Sequence, residues 1–147
     1  VDSLFSLSSL LVMPFWALMI FAPRWSWTKR IIGSPFISLP AALLYAVLVV
    51  PNALSLLPAL ANPNLAGIQT LLGSPQGATI GWVHFLAFDV FVGRWAYLDS
   101  QERGINPFLM APVLFLVLMF GPLGFAVYLG VRAIAGSRPS EARALQG

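Results

Sequence analysis

The sequence predicts an all-α polytopic membrane protein, a bundle of four transmembrane helices, and three observations carry that prediction. Of 147 residues, 59% are hydrophobic and only 9% charged, against about 25% charged in an ordinary soluble domain. The charges stand far apart: residues 3–23, 31–88 and 104–131 contain no Asp, Glu, Lys or Arg. Strand alternation is missing, so helices remain as the way to satisfy every backbone group in hydrocarbon. A soluble sphere could not cover its surface with so few charges. Disorder needs low hydrophobicity and high charge, the opposite of this composition. The absence of Cys excludes disulfides, thiol chemistry and Cys-based zinc or iron–sulfur sites. The net charge of +3 is scattered. It fits basic residues at water-facing ends and not a nucleic-acid footprint.

A hydrocarbon core of about 30 Å takes roughly 20 apolar residues as a helix. The first charge-free run holds one span, near 4–23. It lacks a basic start and a convincing cleavage site, so a cleavable signal peptide is not expected. The middle run is too long for one span. It reads as a second span near 36–60, a polar stretch at 61–76 and a third span near 77–98. Asn62-Pro63-Asn64 and Gly73-Ser74-Pro75-Gln76-Gly77 are turn signals within the polar stretch. A short helix at 65–72, lying at the interface or against the bundle, fits between them. The last run holds a fourth span near 108–131. Three spans plus a re-entrant or interfacial helix is the alternative, should the proline-laced second span be re-entrant. The length suits a single domain over 1–135, with 136–147 a polar, frayed tail. No internal repeat is visible.

Arg24, Lys29 and Arg30 lie in the first connection, and Arg103 in the third with Arg94 close by; Arg132, Arg138 and Arg143 lie at the C-terminal end. In a four-span protein the positive-inside tendency puts the first and third connections on the cytoplasmic side. Trp25 and Trp27 beside the basic cluster fit an interfacial aromatic belt.

Pro14 falls in span one, Pro40, Pro51 and Pro58 in or beside span two, and Pro107, Pro112 and Pro122 in or beside span four. Each interior proline removes a donor and tends to kink its helix. The resulting gaps can hold side chains, lipid or flat apolar cofactors, although proline is common in membrane helices. Gly77-x-x-x-Gly81, Ala42-x-x-x-Ala46 and Ala126-x-x-x-Gly130 are small-residue pairs that let helices approach closely.

Span three carries the polar chemistry. It holds the sole His, His84, and the one acid deep in an apolar run, Asp89. An ionised carboxylate there costs several kcal/mol unless paired, so it is either protonated or held by a cation and hydrogen bonds. His84 to Asp89 is about 140° around a helix, and Asp89 to Arg94 another 140°. The three residues cannot share a face; each is expected to meet a different neighbour, or to snorkel in the case of Arg94. Asp89, Arg94 and Asp99 read either as buried polar anchors of helix packing or as functional groups. His84 shares its face with Phe88, Phe91 and Trp95. A neutral imidazole among aromatics can ligate the metal of a flat macrocycle, or hydrogen-bond a carbonyl or water. Familiar enzyme signatures are missing: a second His, a nucleophile elbow and a phosphate-binding glycine loop. No metal site of protein ligands is expected.

The stretch from Trp82 to Arg94 and on to Asp99, with its Trp-x-His-x-x-x-x-Asp-x-x-x-x-Arg core, resembles the abscisic-acid-deficient-type membrane family. The resemblance extends more loosely over 4–132. It implies small multispan proteins connected with neoxanthin formation in plastids and found also in cyanobacteria. It marks His84, Asp89 and Arg94 as signature positions, with Trp82 and Asp99 beside them. No transit segment is read at its start, so a member of the cyanobacterial branch is expected.

Two functions follow as expectations. In the first, the chain is a non-catalytic accessory subunit of a photosynthetic complex, photosystem I, in the thylakoid membrane. It would pack against lipids and larger subunits, with His84, Trp82, Phe88, Phe91 and Trp95 contacting chlorophyll or carotenoid. The second is a carotenoid-modifying factor using Asp89 and His84, in which a buried acid exchanges a proton with an epoxide or an allene-forming carotenoid. The scant catalytic equipment weighs toward the first. Transport ranks last, with one acid and no repeats.

Overall fold

The computed structural model describes residues 1–135; the tail expected at 136–147 lies outside the described residues. Helix α1 (Asp2–Phe21) has Asp2 in its first turn and carries Pro14 inside. Helix α2 (Ser26–Gly33) lies in the first connection and buries Thr28 and Ile32, one turn apart. The second apolar run, Pro35–Ala61, is long and apolar enough to cross a membrane. Its prolines segment it into a 3₁₀ turn at Pro35–Ser38, α3 (Leu39–Val49), a second 3₁₀ turn at Val50–Asn52 and α4 (Ala53–Ala61). At the second turn, where Pro51 has no N–H to give, the Asn52 side-chain amide donates to the Leu48 carbonyl at 2.9 Å.

The expected short helix in the polar stretch is α5 (Leu65–Gly73), with the Asn64 side chain accepting from the Gly67 N–H at 2.9 Å. Helix α6 (Pro75–Glu102) runs for 28 residues, about 42 Å at 1.5 Å per residue. Its first turn is capped by the Ser74 hydroxyl, which accepts from the Gly77 N–H at 3.0 Å. Gly104, at φ 67°, closes it: Gly104 N–H donates to Gln101 O at 3.2 Å and Ile105 N–H to Ser100 O at 2.9 Å, a Schellman arrangement. Asn106 then caps α7 (Pro107–Ala135) through the Phe108 N–H at 2.9 Å.

The described chain is an all-helical membrane bundle. Three stretches have the length and apolarity of a crossing: α1, Pro35–Ala61 and α7. The last differs from the uninterrupted span expected near 108–131. Phe120 (φ −139°, ψ 41°) and Gly121 (φ 1°, ψ −78°) are not helical, and Pro122 supplies no N–H to restore the ladder. Beyond this break the chain doubles back. A Cβ on Gly124 would fall within the backbone of residues 116–117, which a straight helix would hold about 10 Å away. The last apolar run thus folds as a helical hairpin.

The described chain divides into two compact units. The first comprises Val1–Met13 and Ser38–Phe88. In it the start of α1 meets the start of α6: Trp82 stacks on Phe5 with ring centroids 5.4 Å apart, and its Nε1–H donates to Ser9 Oγ at 3.2 Å. The second unit comprises, among the described residues, Pro14–Ile37 and 89–135. Here Trp16 is buried against Gly93, where any Cβ would fall inside the indole ring. Tyr97, also buried, donates its hydroxyl to the Pro23 carbonyl at 2.7 Å. In this unit the two halves of α7 run up and back along α6. Gly121 meets Asp89, and Tyr128 and Arg132 return to the level of Trp95 and Asp99. Arg132 therefore stands beside Arg103, not on the opposite membrane face as four spans would require.

Candidate functional site: an acid at the tip of a helical hairpin

The three signature residues of α6 meet three different surroundings, as their 140° separations dictate. His84 faces α3: its ring lies 5.5 Å from that of Tyr45, with Phe88 at 4.9 Å and Phe85 at 6.3 Å along its own helix. Beside it is an open, mostly apolar cleft of about 150 Å³ in the first unit, with Leu56, Leu60, Leu71 and Leu72 among its walls. Neither His84 nor Tyr45 has a hydrogen-bond partner among the described residues.

Asp89 sits midway along α6 and is half-buried. Its carboxylate rests against Gly121 at the reversal of α7, in the space a Cβ would occupy. It makes no ion pair among the described residues. Hairpin tip and acid lie at matching depth: Gly121 is 14 residues into α7, and Asp89 is 13 residues before the end of α6. Non-helical backbone at membrane depth is tolerated where protein buries it or where it lines a polar cavity. Here that backbone faces a carboxyl group.

Arg94 takes the three carbonyls that end α2. Its Nε donates to Ile32 O at 2.8 Å and Ser34 O at 3.2 Å, and Nη2 donates to Gly33 O at 2.6 Å. A guanidinium at a helix C-terminus satisfies carbonyls that lack intrahelical donors and complements the helix dipole. Arg94 is an anchor in this geometry.

Asp99 is heavily engaged. It is 2% exposed and accepts from Tyr128 Oη at 2.5 Å, Arg103 Nε at 2.8 Å and Arg132 Nε at 2.9 Å. Arg132 also lies over the Trp95 ring, 5.8 Å from its centroid, and Trp95 packs on Tyr128 and Phe125. This cluster clamps the returning half of α7 to α6.

Of the five aromatic and imidazole positions expected to share a ligand, His84 and Phe88 lie together. Trp82 turns to Phe5 and Ser9, Trp95 belongs to the Asp99 clamp, and Phe91 is exposed. A single straight helix face places His84, Phe88, Phe91 and Trp95 in line. The partners supplied by α3 and α7 then divide that line. Tyr45, Gly121, Tyr128 and Arg132 complete these groups and were not singled out by sequence reasoning. Gly121-Pro122 was the one available signal, as a pair able to break a helix.

The family model described as ABA DEFICIENT 4-like matches residues 3–128. Protein ABA DEFICIENT 4, chloroplastic, of Arabidopsis thaliana is 28% identical over 143 residues, covering 93% of this chain and 64% of the relative. The chain thus spans just under two thirds of that relative's length. No solved structure matches it. With a match running through α1 and into the returning half of α7, the chain belongs to the ABA DEFICIENT 4-like family.

Proposed function

We propose that this protein is an integral membrane factor that modifies a xanthophyll, with Asp89 as its proton-transferring group. The observation that carries the reading is the placement of Asp89: an acid with no ion-pair partner among the described residues, midway along α6, against the broken backbone of α7. Family membership supports the carotenoid reading, because the resemblance connects such proteins with neoxanthin formation. The photosystem I subunit reading gains no support from the comparisons and gives way to it. Thylakoid residence and a cyanobacterial source are proposals of the same rank; the Arabidopsis relative is named as chloroplastic.

The chemistry asked of Asp89 is modest. Converting a ring epoxide next to a conjugated chain into an allene and a hydroxyl is an isomerisation. The carboxylic acid gives its proton to the epoxide oxygen as a ring C–O bond breaks. The resulting carboxylate removes a proton from the neighbouring chain carbon, whose C–H electrons form the second double bond of the allene. The acid is regenerated, and no oxidant, reductant or metal is consumed. One acid–base group positioned in an apolar site is sufficient for such a cycle.

The test is to delete the gene, profile carotenoids, and complement with wild type, Asp89→Asn or Asp89→Glu. Loss of one epoxide-derived xanthophyll with accumulation of its precursor is expected. Wild type should restore the profile and Asp89→Asn should not. An unchanged profile on deletion, or full restoration by Asp89→Asn at equal protein level, overturns the reading.

A further inference from the structure

The first connection presents a basic corner in the second unit. Arg24, Lys29 and Arg30 are all exposed, and none makes an ion pair among the described residues. No acid occurs between Asp2 and Asp89. Asp89 itself faces Gly121, and Asp99 is taken by Tyr128, Arg103 and Arg132. The corner is fixed from behind. Thr28 and Ile32 bury one side of α2, Arg94 binds the carbonyls that end it, and Tyr97 holds the Pro23 carbonyl. Trp25 and Trp27 stand among the cations, each 53% exposed, with the Arg30 guanidinium 5.6 Å from the Trp27 ring centroid. Tryptophan beside basic residues marks headgroup depth in a bilayer. Arg24 and Trp25 also line an open, mostly apolar groove of about 270 Å³, together with Phe21, Phe108 and Ala111. Phe21 ends α1 and Phe108 stands in the first turn of α7, both exposed on apolar helices long enough to cross a membrane.

We propose that this corner binds an anionic membrane lipid, its headgroup on Arg24, Lys29 and Arg30 and one acyl chain in the groove lined by Phe21, Phe108 and Ala111. Charge complementarity selects the headgroup. Three cations without an ion-paired acid among the described residues attract an anion, whereas a zwitterionic headgroup brings its own ammonium into the same field. The groove selects a lipid over a soluble anion, because a phosphate without chains leaves the apolar walls uncovered. Its openness suits a chain that enters sideways from the bilayer. The fixed positions of α2 and Pro23 reduce the ordering cost of binding. The site is independent of Asp89 and of the carotenoid reading.

The experiment places the purified full chain in nanodiscs of phosphatidylcholine with phosphatidylglycerol as the minor lipid, both with the same acyl chains. The protein is then extracted into detergent, and the lipids it retains are quantified by mass spectrometry. Each Lys or Arg near an anionic headgroup is worth about a fivefold gain, so a headgroup that engages two of the three should be enriched on the order of tenfold over the bilayer ratio. Arg24→Gln, Lys29→Gln and Arg30→Gln combined should return the retained ratio to that of the bilayer, while Arg132→Gln, which removes a charge from the Asp99 clamp, should leave the enrichment in place. Ala111→Phe should lower the phosphatidylglycerol retained by obstructing the groove. Wild-type enrichment should also fall in high salt, as the screening length shortens from about 10 Å at 0.1 M to about 3 Å at 1 M. Glycerol phosphate, an anion without chains, should not displace the lipid. Equal retention of the two lipids by wild type overturns the proposal. So does an enrichment that survives the triple Gln variant or high salt, or one lost equally in Arg132→Gln. Undiminished retention by Ala111→Phe, or displacement by glycerol phosphate, overturns the assignment of a chain to the groove.

Discussion

Replacing Asp99 by Ala should be the most destabilising single change at the α6–α7 clamp. The side chain of Asp99 is 1% exposed and that of Arg103 5%, whereas Arg132 is 35% exposed. Removing one partner of a buried ion pair costs about 3–5 kcal/mol, because the other charge remains buried. The Tyr128 hydroxyl loses a hydrogen bond to a charged group, a contribution of about 1.5–3 kcal/mol. The Arg132 contact, partly in solvent, adds about 0–1 kcal/mol. These groups share one carboxylate and do not add, so the buried pair sets the scale and Asp99→Ala should cost about 3–5 kcal/mol. Arg132→Ala should cost no more than about 1 kcal/mol. Unfolding in mixed detergent micelles, followed by tryptophan fluorescence, measures both; Trp95 lies inside the clamp. Equal, small losses for Asp99→Ala and Arg132→Ala would refute the reasoning, since they would mean that the carboxylate is solvated and holds nothing.

The chain has no cysteine, so single cysteines can report topology directly. Glu102→Cys and Ile134→Cys should label from the same membrane face; labelling of 102 and 134 from opposite faces would show that α7 crosses. Arg94→Ala should cost about 1.5–3 kcal/mol through three carbonyls left without a charged donor, read as faster amide exchange in 26–34, with Arg94→Lys partly restoring protection. Gly93→Leu should cost about 1–3 kcal/mol by overpacking against Trp16, seen as a lower unfolding midpoint. Gly121→Val should displace the Asp89 carboxylate and lower xanthophyll modification while the variant still inserts; full activity in that variant would separate the hairpin tip from the chemistry.

The helical membrane class was legible because it depends on composition and charge spacing, both long-range averages of the chain. The divergence of His84, Asp89 and Arg94 was equally legible, since it follows from one helical period. Other features depend on partners far away in sequence. Nothing near Tyr45 marks it as the ring facing His84. Arg132 reads as an end-of-span charge until α7 is known to reverse. The reversal needed Gly121, Pro122 and Gly124 to act together: one proline to withhold a donor, and two glycines to let backbone and carboxylate approach. As isolated residues in an apolar run they look like ordinary membrane-helix composition. Helix α2 was missed for a different reason, because its eight residues stand outside every apolar run.

The hairpin also bears on orientation. With α7 taken as a crossing, Arg132 counts against the basic residues of the first and third connections. In the second unit, the Tyr97–Pro23 hydrogen bond joins the end of α1 to the last turns of α6, and Arg103 and Arg132 share the Asp99 carboxylate. Arg24, Lys29, Arg30, Arg94, Arg103 and Arg132 all belong to this one unit. Basic residues that an uninterrupted fourth span would have divided therefore add on one face, and the positive-inside preference for that face is strengthened. The same reversal brings a helix break to the depth of Asp89. A straight α7 would leave that acid facing an intact helix with no free backbone groups. The reversal of the last element thus sets what Asp89 faces, and the cysteine-labelling result tests that reversal.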